Sequence, residues 1–186
     1  RSRPVASVVL PENHGPDLHV FALAVRQDTA GWTGSWAAAT SGQPAVGPWV
    51  DRTLRLVVHT TVGGPQVRLR FANTFASAPV RISSATVAVQ GTGATPRSAP
   101  VPLTFGGEAG TSVPAGTQAF SDPLRFEVPE SGNLLVSFHL PQAVAAAPLH
   151  SMTAQRSYLS EPGDHTRDTS PDAYPTTLTT WPLLTG

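Results

Sequence analysis

The chain has 186 residues, 40% of them apolar and 13% charged, which is enough for one hydrophobic core or a small pair. Twelve basic residues, all arginine, balance twelve acidic ones, so the sequence lacks the basic field that nonspecific nucleic-acid or anionic-membrane binding requires. Cysteine is absent, which excludes disulfides, zinc–thiolate sites and a cysteine nucleophile; the longest apolar stretch near the start, residues 20–25, is far shorter than the roughly 20 residues of a membrane-spanning helix.

Residues 1–30 differ from the rest. Pro11 and Pro16 mark turns ahead of an apolar run at 18–25 with no sustained period, which predicts an N-terminal arm or a first edge strand. The first ten residues carry two positive charges and only a brief hydrophobic run, so an intact signal peptide is not expected here. From Gly31 onward, short β-branched runs alternate with Gly, Pro, Ser and Asp, the pattern of an all-β sandwich occupying residues 31–160.

The clearest strand covers residues 52–60, with Leu54, Leu56 and Val58 on one face and Thr53, Arg55, Val57 and His59 on the other. A Gly63-Gly64-Pro65 turn leads to an alternating run at 66–71, and the two runs read as a hairpin. Further strands are predicted at 80–89, 101–105, 124–128, 134–140 and 151–159. Residues 124–128 alternate cleanly, whereas Leu134-Leu135-Val136 is apolar on both faces and suits an inner strand. Pro141 and Pro148 bracket residues 143–147 too tightly for a helix. Residues 161–186 read as a Pro-, Asp- and Thr-rich linker whose apolar end, Trp181-Pro182-Leu183-Leu184, is expected to dock on something.

No G-x-S-x-G elbow, phosphate-binding loop, G-x-G-x-x-G, H-E-x-x-H or calcium-loop spacing occurs. His59 and His139 read as hydrogen-bonded sheet histidines, while His150, at a strand start, is a better candidate for ligand contact. Trp32 and Trp36 are four apart and would share one side of an extended strand, suggesting an aromatic surface with Arg68, Asn73 and His150 as accompanying substrate or glycan contacts. Ser121 with Asp122, or Ser160 with Asp164 and His165, supply residue types of a catalytic triad, but nothing in the sequence fixes oxyanion donors or a strained elbow around them. Asp164, Asp168 and Asp172 read as solvated loop carboxylates, and no metal or cofactor is expected.

The ordered motifs Trp32-Thr33-Gly34-Ser35-Trp36, Thr53-Leu54-Arg55-Leu56-Val57-Val58-His59-Thr60, Arg68-Leu69-Arg70-Phe71-Ala72-Asn73-Thr74-Phe75, Leu103-Thr104-Phe105-Gly106-Gly107, Ser121-Asp122-Pro123, Leu135-Val136-Ser137-Phe138-His139-Leu140-Pro141 and Thr180-Trp181-Pro182-Leu183 resemble the N-terminal region of secreted actinobacterial SGNH (GDSL-type) hydrolases, over about residues 31–186. The resemblance implies a jelly-roll-like antiparallel β-sandwich ahead of a separate hydrolase domain, and an extracellular location. The family's Gly-Asp-Ser block has no counterpart: Gly163-Asp164 is followed by His165. No catalytic residue is therefore carried over. The implied role is a non-catalytic accessory domain that packs on an SGNH hydrolase domain following Gly186 and shapes access for an acyl ester or glycan, with Trp181 and Leu183 as interdomain contacts. Two alternatives accompany it: an independent carbohydrate-binding module, and one chain of a cleaved two-chain hydrolase.

Overall fold

A computed structural model describes residues 31–186, and Thr33–Gly186 form one unit within them. The expected arm or edge strand at 1–30 lies outside the described residues. The strands are β1 (Ser41–Val46), β2 (Arg52–Thr60), β3 (Gly64–Val67), β4 (Arg70–Ala72), β5 (Val80–Ile82), β6 (Ser84–Val89), β7 (Val101–Pro102) and β8 (Thr111–Val113). They continue with β9 (Gln118–Phe120), β10 (Leu124–Val128), β11 (Gly132–Leu140), β12 (Ala147–His150), β13 (Ser157–Pro162), β14 (Thr176–Leu178) and β15 (Trp181–Pro182). The fold is an all-β antiparallel sandwich, as the spacing of turn residues predicts.

One layer is a six-stranded sheet in the order β14-β13-β2-β11-β6-β7. Its centre is the pair β2 and β11, in continuous register from Arg52 opposite Leu140 to Thr60 opposite Gly132. β11 lies between β2 and β6 and is buried on both faces from Leu134 onward, which explains its unbroken apolar start. The opposite layer consists of shorter groups: β1-β12-β15, β3-β10, β4-β9 and β5-β8.

Residues 183–186 lace part of that layer together. The Leu183 N–H donates to Pro148 O, its carbonyl accepts from Ala72 N at 2.7 Å, and Thr185 N and Arg70 O are joined at 2.9 Å. Leu183 itself adopts φ 63°, a left-handed kink that lets one residue serve β12 on one side and β4 on the other.

The core is filled from both layers: Leu54, Leu56, Val136 and Phe138 from the large sheet meet Phe71, Ile82, Leu183 and Leu184 opposite. The Phe71 ring lies edge-on to Phe138 at 5.3 Å and tilted to Phe105 at 5.8 Å, so one aromatic side chain ties the layers.

Several boundaries differ from expectation, for physical reasons. The predicted hairpin between 52–60 and 66–71 does not form: both edges of β2 are occupied by β11 and β13, so β3 crosses to the other layer and pairs with β10. Gly63 makes that crossing possible, because a Cβ there would stand 2.8 Å from Val128 O and 2.9 Å from Glu130 N. The run 80–89 breaks at Ser83, where the chain passes between layers. The strand expected at 151–159 is replaced by β12 before it and β13 at its end. No helix occupies 143–147; Val144 instead bridges Trp49.

The largest correction concerns residues 161–186, which are not a linker. They complete β13, supply β14 and β15, and bury Thr166, Tyr174, Leu183 and Leu184 within the same unit.

Candidate functional site

Along the central strands the inward positions are apolar, but the outward positions over half their length are polar. Register aligns Thr53, His139 and Ser84 in one row and Arg55, Ser137 and Thr86 in the next. Burying such groups is costly unless each finds a partner. Residues 163–174 supply those partners, lying across this face as a strap. Thr53 Oγ1 donates to Gly163 O at 2.8 Å and accepts from His165 N at 2.9 Å; Thr86 Oγ1 donates to Thr166 O at 2.8 Å.

Arg55 is the hub of this arrangement and is 0% exposed. Its Nε donates to Ser137 Oγ, one terminal nitrogen to Ala94 O and the other to Asp168 O, each at 2.8 Å. The guanidinium lies 4.0 Å over the Tyr174 ring, whose hydroxyl donates to His165 O at 2.6 Å. Burial lowers the Arg55 pKa, opposed by Tyr174 and Asp168, and burial also pushes the Tyr174 phenol up to about 12. The planar fork of arginine suits a site where separate carbonyls converge.

At one end of the strap a serine, a histidine and an acid form a hydrogen-bonded row. His139, on β11, faces Asp51 Oδ1 through Nε2 at 2.8 Å and Ser83 Oγ through Nδ1 at 2.7 Å. Ser83 occupies the corner between β5 and β6. Asp51 precedes β2 in a left-handed conformation, φ 52°, which its carbonyl helps to hold by accepting from Gly163 N at 2.8 Å. The side chain of His139 is 8% exposed, whereas that of Asp51 is 51% exposed, so the row runs from the sheet to solvent.

With the proton on Nε2, that N–H donates to Asp51 and Nδ1 is free to take the Ser83 proton, the division of labour of a general base. The imidazole is turned over relative to the usual serine-hydrolase triad, in which Nδ1 faces the acid. The Ser83 N–H donates to His139 O at 3.1 Å and is therefore engaged in the sheet rather than aimed at a developing oxyanion. Asp164 stands beside this row. Burial would raise its pKa, but the hydroxyls of Ser84 and Thr166, the Thr166 N–H and the charge of His139 hold it below the ordinary carboxylate value. Among the described residues no group of three or more His, Asp or Glu is placed to hold a metal ion.

The serines considered from sequence have other duties. Ser121 Oγ accepts from Leu69 N at 2.9 Å, and Asp122 accepts from Gly106 N, Gly107 N and Thr104 Oγ1, bonds that depress its pKa and fix the double-glycine turn. Ser160 Oγ accepts from Thr53 N at 2.9 Å, completing the ladder where β13 bulges away from β2. His165 Nδ1 pairs with Asp168 Oδ2 at 2.7 Å.

The aromatic candidates are partly gathered. Trp36 meets Trp181 edge-on at 5.0 Å, and His150 stacks on Trp181 at 5.5 Å. Trp181 Nε1 donates to Val57 O at 2.8 Å and His150 Nδ1 pairs with Ala39 O at 2.8 Å, so both rings are held by backbone. Trp32 belongs to the preceding unit. Arg68 lies 4.7 Å over the Phe120 ring and donates to Ser121 O. Asn73 is fully buried, its amide donating to Ala78 O and Val113 O, so its side chain closes a loop and presents nothing to a ligand. Leu183 is a core residue and is likewise covered by the chain itself.

The row Asp51–His139–Ser83 is not legible in the sequence, because its members lie 88 and 56 residues apart and the pairings of β11 with β2 and with β6 are what bring them together. Compared with known proteins, the chain matches no protein-family model and no curated protein sequence.

Proposed function

We propose that this chain is a non-catalytic accessory β-sandwich of a secreted SGNH-type ester hydrolase, which packs on the hydrolase domain and shapes access of an ester or glycan to it. The observation that carries this reading is where the motifs of the resemblance fall. Asp122 of Ser121-Asp122-Pro123 pins the turn Gly106-Gly107, Leu135–Pro141 supplies most of the inner strand β11, and Trp181-Pro182-Leu183 closes the second layer. They are the joints of a scaffold. A scaffold that must present a fixed surface to a neighbouring domain needs such joints, and it needs no nucleophile of its own. Intact-mass and peptide analysis of the native secreted protein tests this: a Gly-Asp-Ser hydrolase segment, covalent or as a companion chain, is the expected result. A native protein consisting of these residues alone overturns it.

A second reading, an independent glycan-binding module, is favoured by the cluster of Trp36, Trp181 and His150. Titration with xylan and chitin oligomers, followed by tryptophan fluorescence, separates the two: the accessory reading expects no saturable change, and the module requires one.

A further inference from the structure

The row Asp51–His139–Ser83 extends beyond a scaffolding role. We propose that Ser83 is a base-activated hydroxyl that accepts one acyl group from an activated neutral ester, making it a site of covalent acylation on this domain.

Three observations converge on it. Ser83 Oγ is 2.7 Å from His139 Nδ1, within reach for proton transfer, and the opposite nitrogen is held by Asp51 at 2.8 Å, which fixes the ring and favours the basic nitrogen toward the serine. The acid sits in a left-handed conformation at φ 52°, a local cost that the surrounding structure sustains at the corner before β2, as it does at Leu183. Ser83 is half-buried rather than sealed, and Asp51 reaches solvent, so a small ester has an approach.

The step balances without any further reactant. Ser83 Oγ forms a bond to the acyl carbon while its proton passes to His139 Nδ1, and the carbonyl–leaving-group bond breaks. The leaving alkoxide or phenolate departs with the electron pair and recovers a proton from the imidazolium or from water. Two carboxylates, Asp51 bonded to His139 and Asp164 acting on it by charge, stabilise the transient imidazolium.

The same geometry limits the chemistry. Because the Ser83 N–H is engaged with His139 O, the developing oxyanion gains little from it, so only esters with good leaving groups react and the acyl-serine is not turned over. The two carboxylates also exclude anionic donors by repulsion. The acyl donor is therefore a neutral activated ester, and Ser83 takes a single acyl group to give a stable product.

The test is incubation of the intact chain with p-nitrophenyl acetate, following p-nitrophenolate release and mapping the adduct by mass spectrometry. The expected result is release of about one equivalent with one acetyl group on Ser83, ahead of the exposed serines Ser98 and Ser112. Ser83→Ala abolishes that adduct. His139→Gln slows it about 100-fold, the scale of general-base assistance. Asp51→Asn, at an exposed side chain whose loss leaves the core intact, slows it by a smaller factor and serves where His139→Gln fails to fold. Acetyl phosphate, an anionic donor of the same acyl group, is expected to leave Ser83 unmodified. Acetylation of Ser83 no faster than Ser98, or equally fast in folded Asp51→Asn, overturns the proposal.

Discussion

The two faces of the six-stranded sheet reach the same depth by different physics. On the inner face Leu54, Leu56, Val136 and Phe138 are buried by apolar contact, which is non-directional and scales with area. On the outer face Thr53, Arg55, Thr86 and Ser137 are equally inaccessible, yet each is held by hydrogen bonds of fixed direction to the strap or to its neighbours in the sheet. A sheet face need not be apolar to be covered. The difference lies in tolerance: an apolar face accepts changes of shape that conserve volume, whereas a satisfied polar face fails when one partner goes.

Two substitutions that are conservative by ordinary standards separate the two faces most strongly. Arg55→Lys keeps the charge but cannot reach Ser137, Ala94 and Asp168 together, and a cost of about 2–4 kcal/mol follows from the groups left unpaired. Leu56→Met, one position along on the opposite face, costs less than about 1.5 kcal/mol because the core adapts. Urea unfolding of both variants gives the order directly; the contrast between the faces fails when Leu56→Met is the more damaging change. Tyr174→Phe is a milder probe of the same face. It retains the ring under Arg55 and removes only the hydroxyl donated to His165 O, for about 1 kcal/mol in the same measurement.

The inner face is also the one legible in the sequence. Leu54, Leu56 and Val58 announce their face by alternation, and the unbroken Leu134-Leu135-Val136 announces an inner strand, because apolar periodicity is a local signal. The outer face is not legible in that way. Arg55 has the right phase for solvent, and it is covered by Ala94, 39 residues later, and by a segment more than 100 residues later. The strap reads as a linker because a chain whose main task is to offer carbonyl oxygens needs no apolar pattern of its own. The candidate site shares that difficulty. Asp51, Ser83 and His139 belong to three separate strand ends, and strand register, which short runs do not determine, is what joins them. The surface candidates divide: Trp36, His150 and Trp181 meet, whereas Asn73, a polar side chain that sequence alone places at the surface, is buried in a turn.

The smallest effect is the pH response of the strap, and its sign distinguishes the two acid–base pairs holding it. Burial lowers the His165 pKa, but the hydrogen bond to Asp168, the Pro162 carbonyl and the charges of Asp168 and Asp164 outweigh it, so the net shift is upward from 6.5. A histidine with a raised folded-state pKa gives stability that is complete below 6.5 and disappears as pH rises through the folded value. Asp164 is displaced downward from 3.8, so its contribution is complete above that pH and disappears as pH falls through its lower folded value. The strap is therefore held best between about 4 and 6.5, the ordinary carboxylate and imidazole values. Both groups are substantially solvated, and the effects are correspondingly modest. In unfolding measurements across pH, the advantage of the native chain over His165→Gln shrinks from pH 6 to pH 8, while its advantage over Asp164→Asn shrinks only in acid. An advantage over His165→Gln that grows toward pH 8 would mean that neutral His165, rather than its ion pair with Asp168, holds the strap to the polar face.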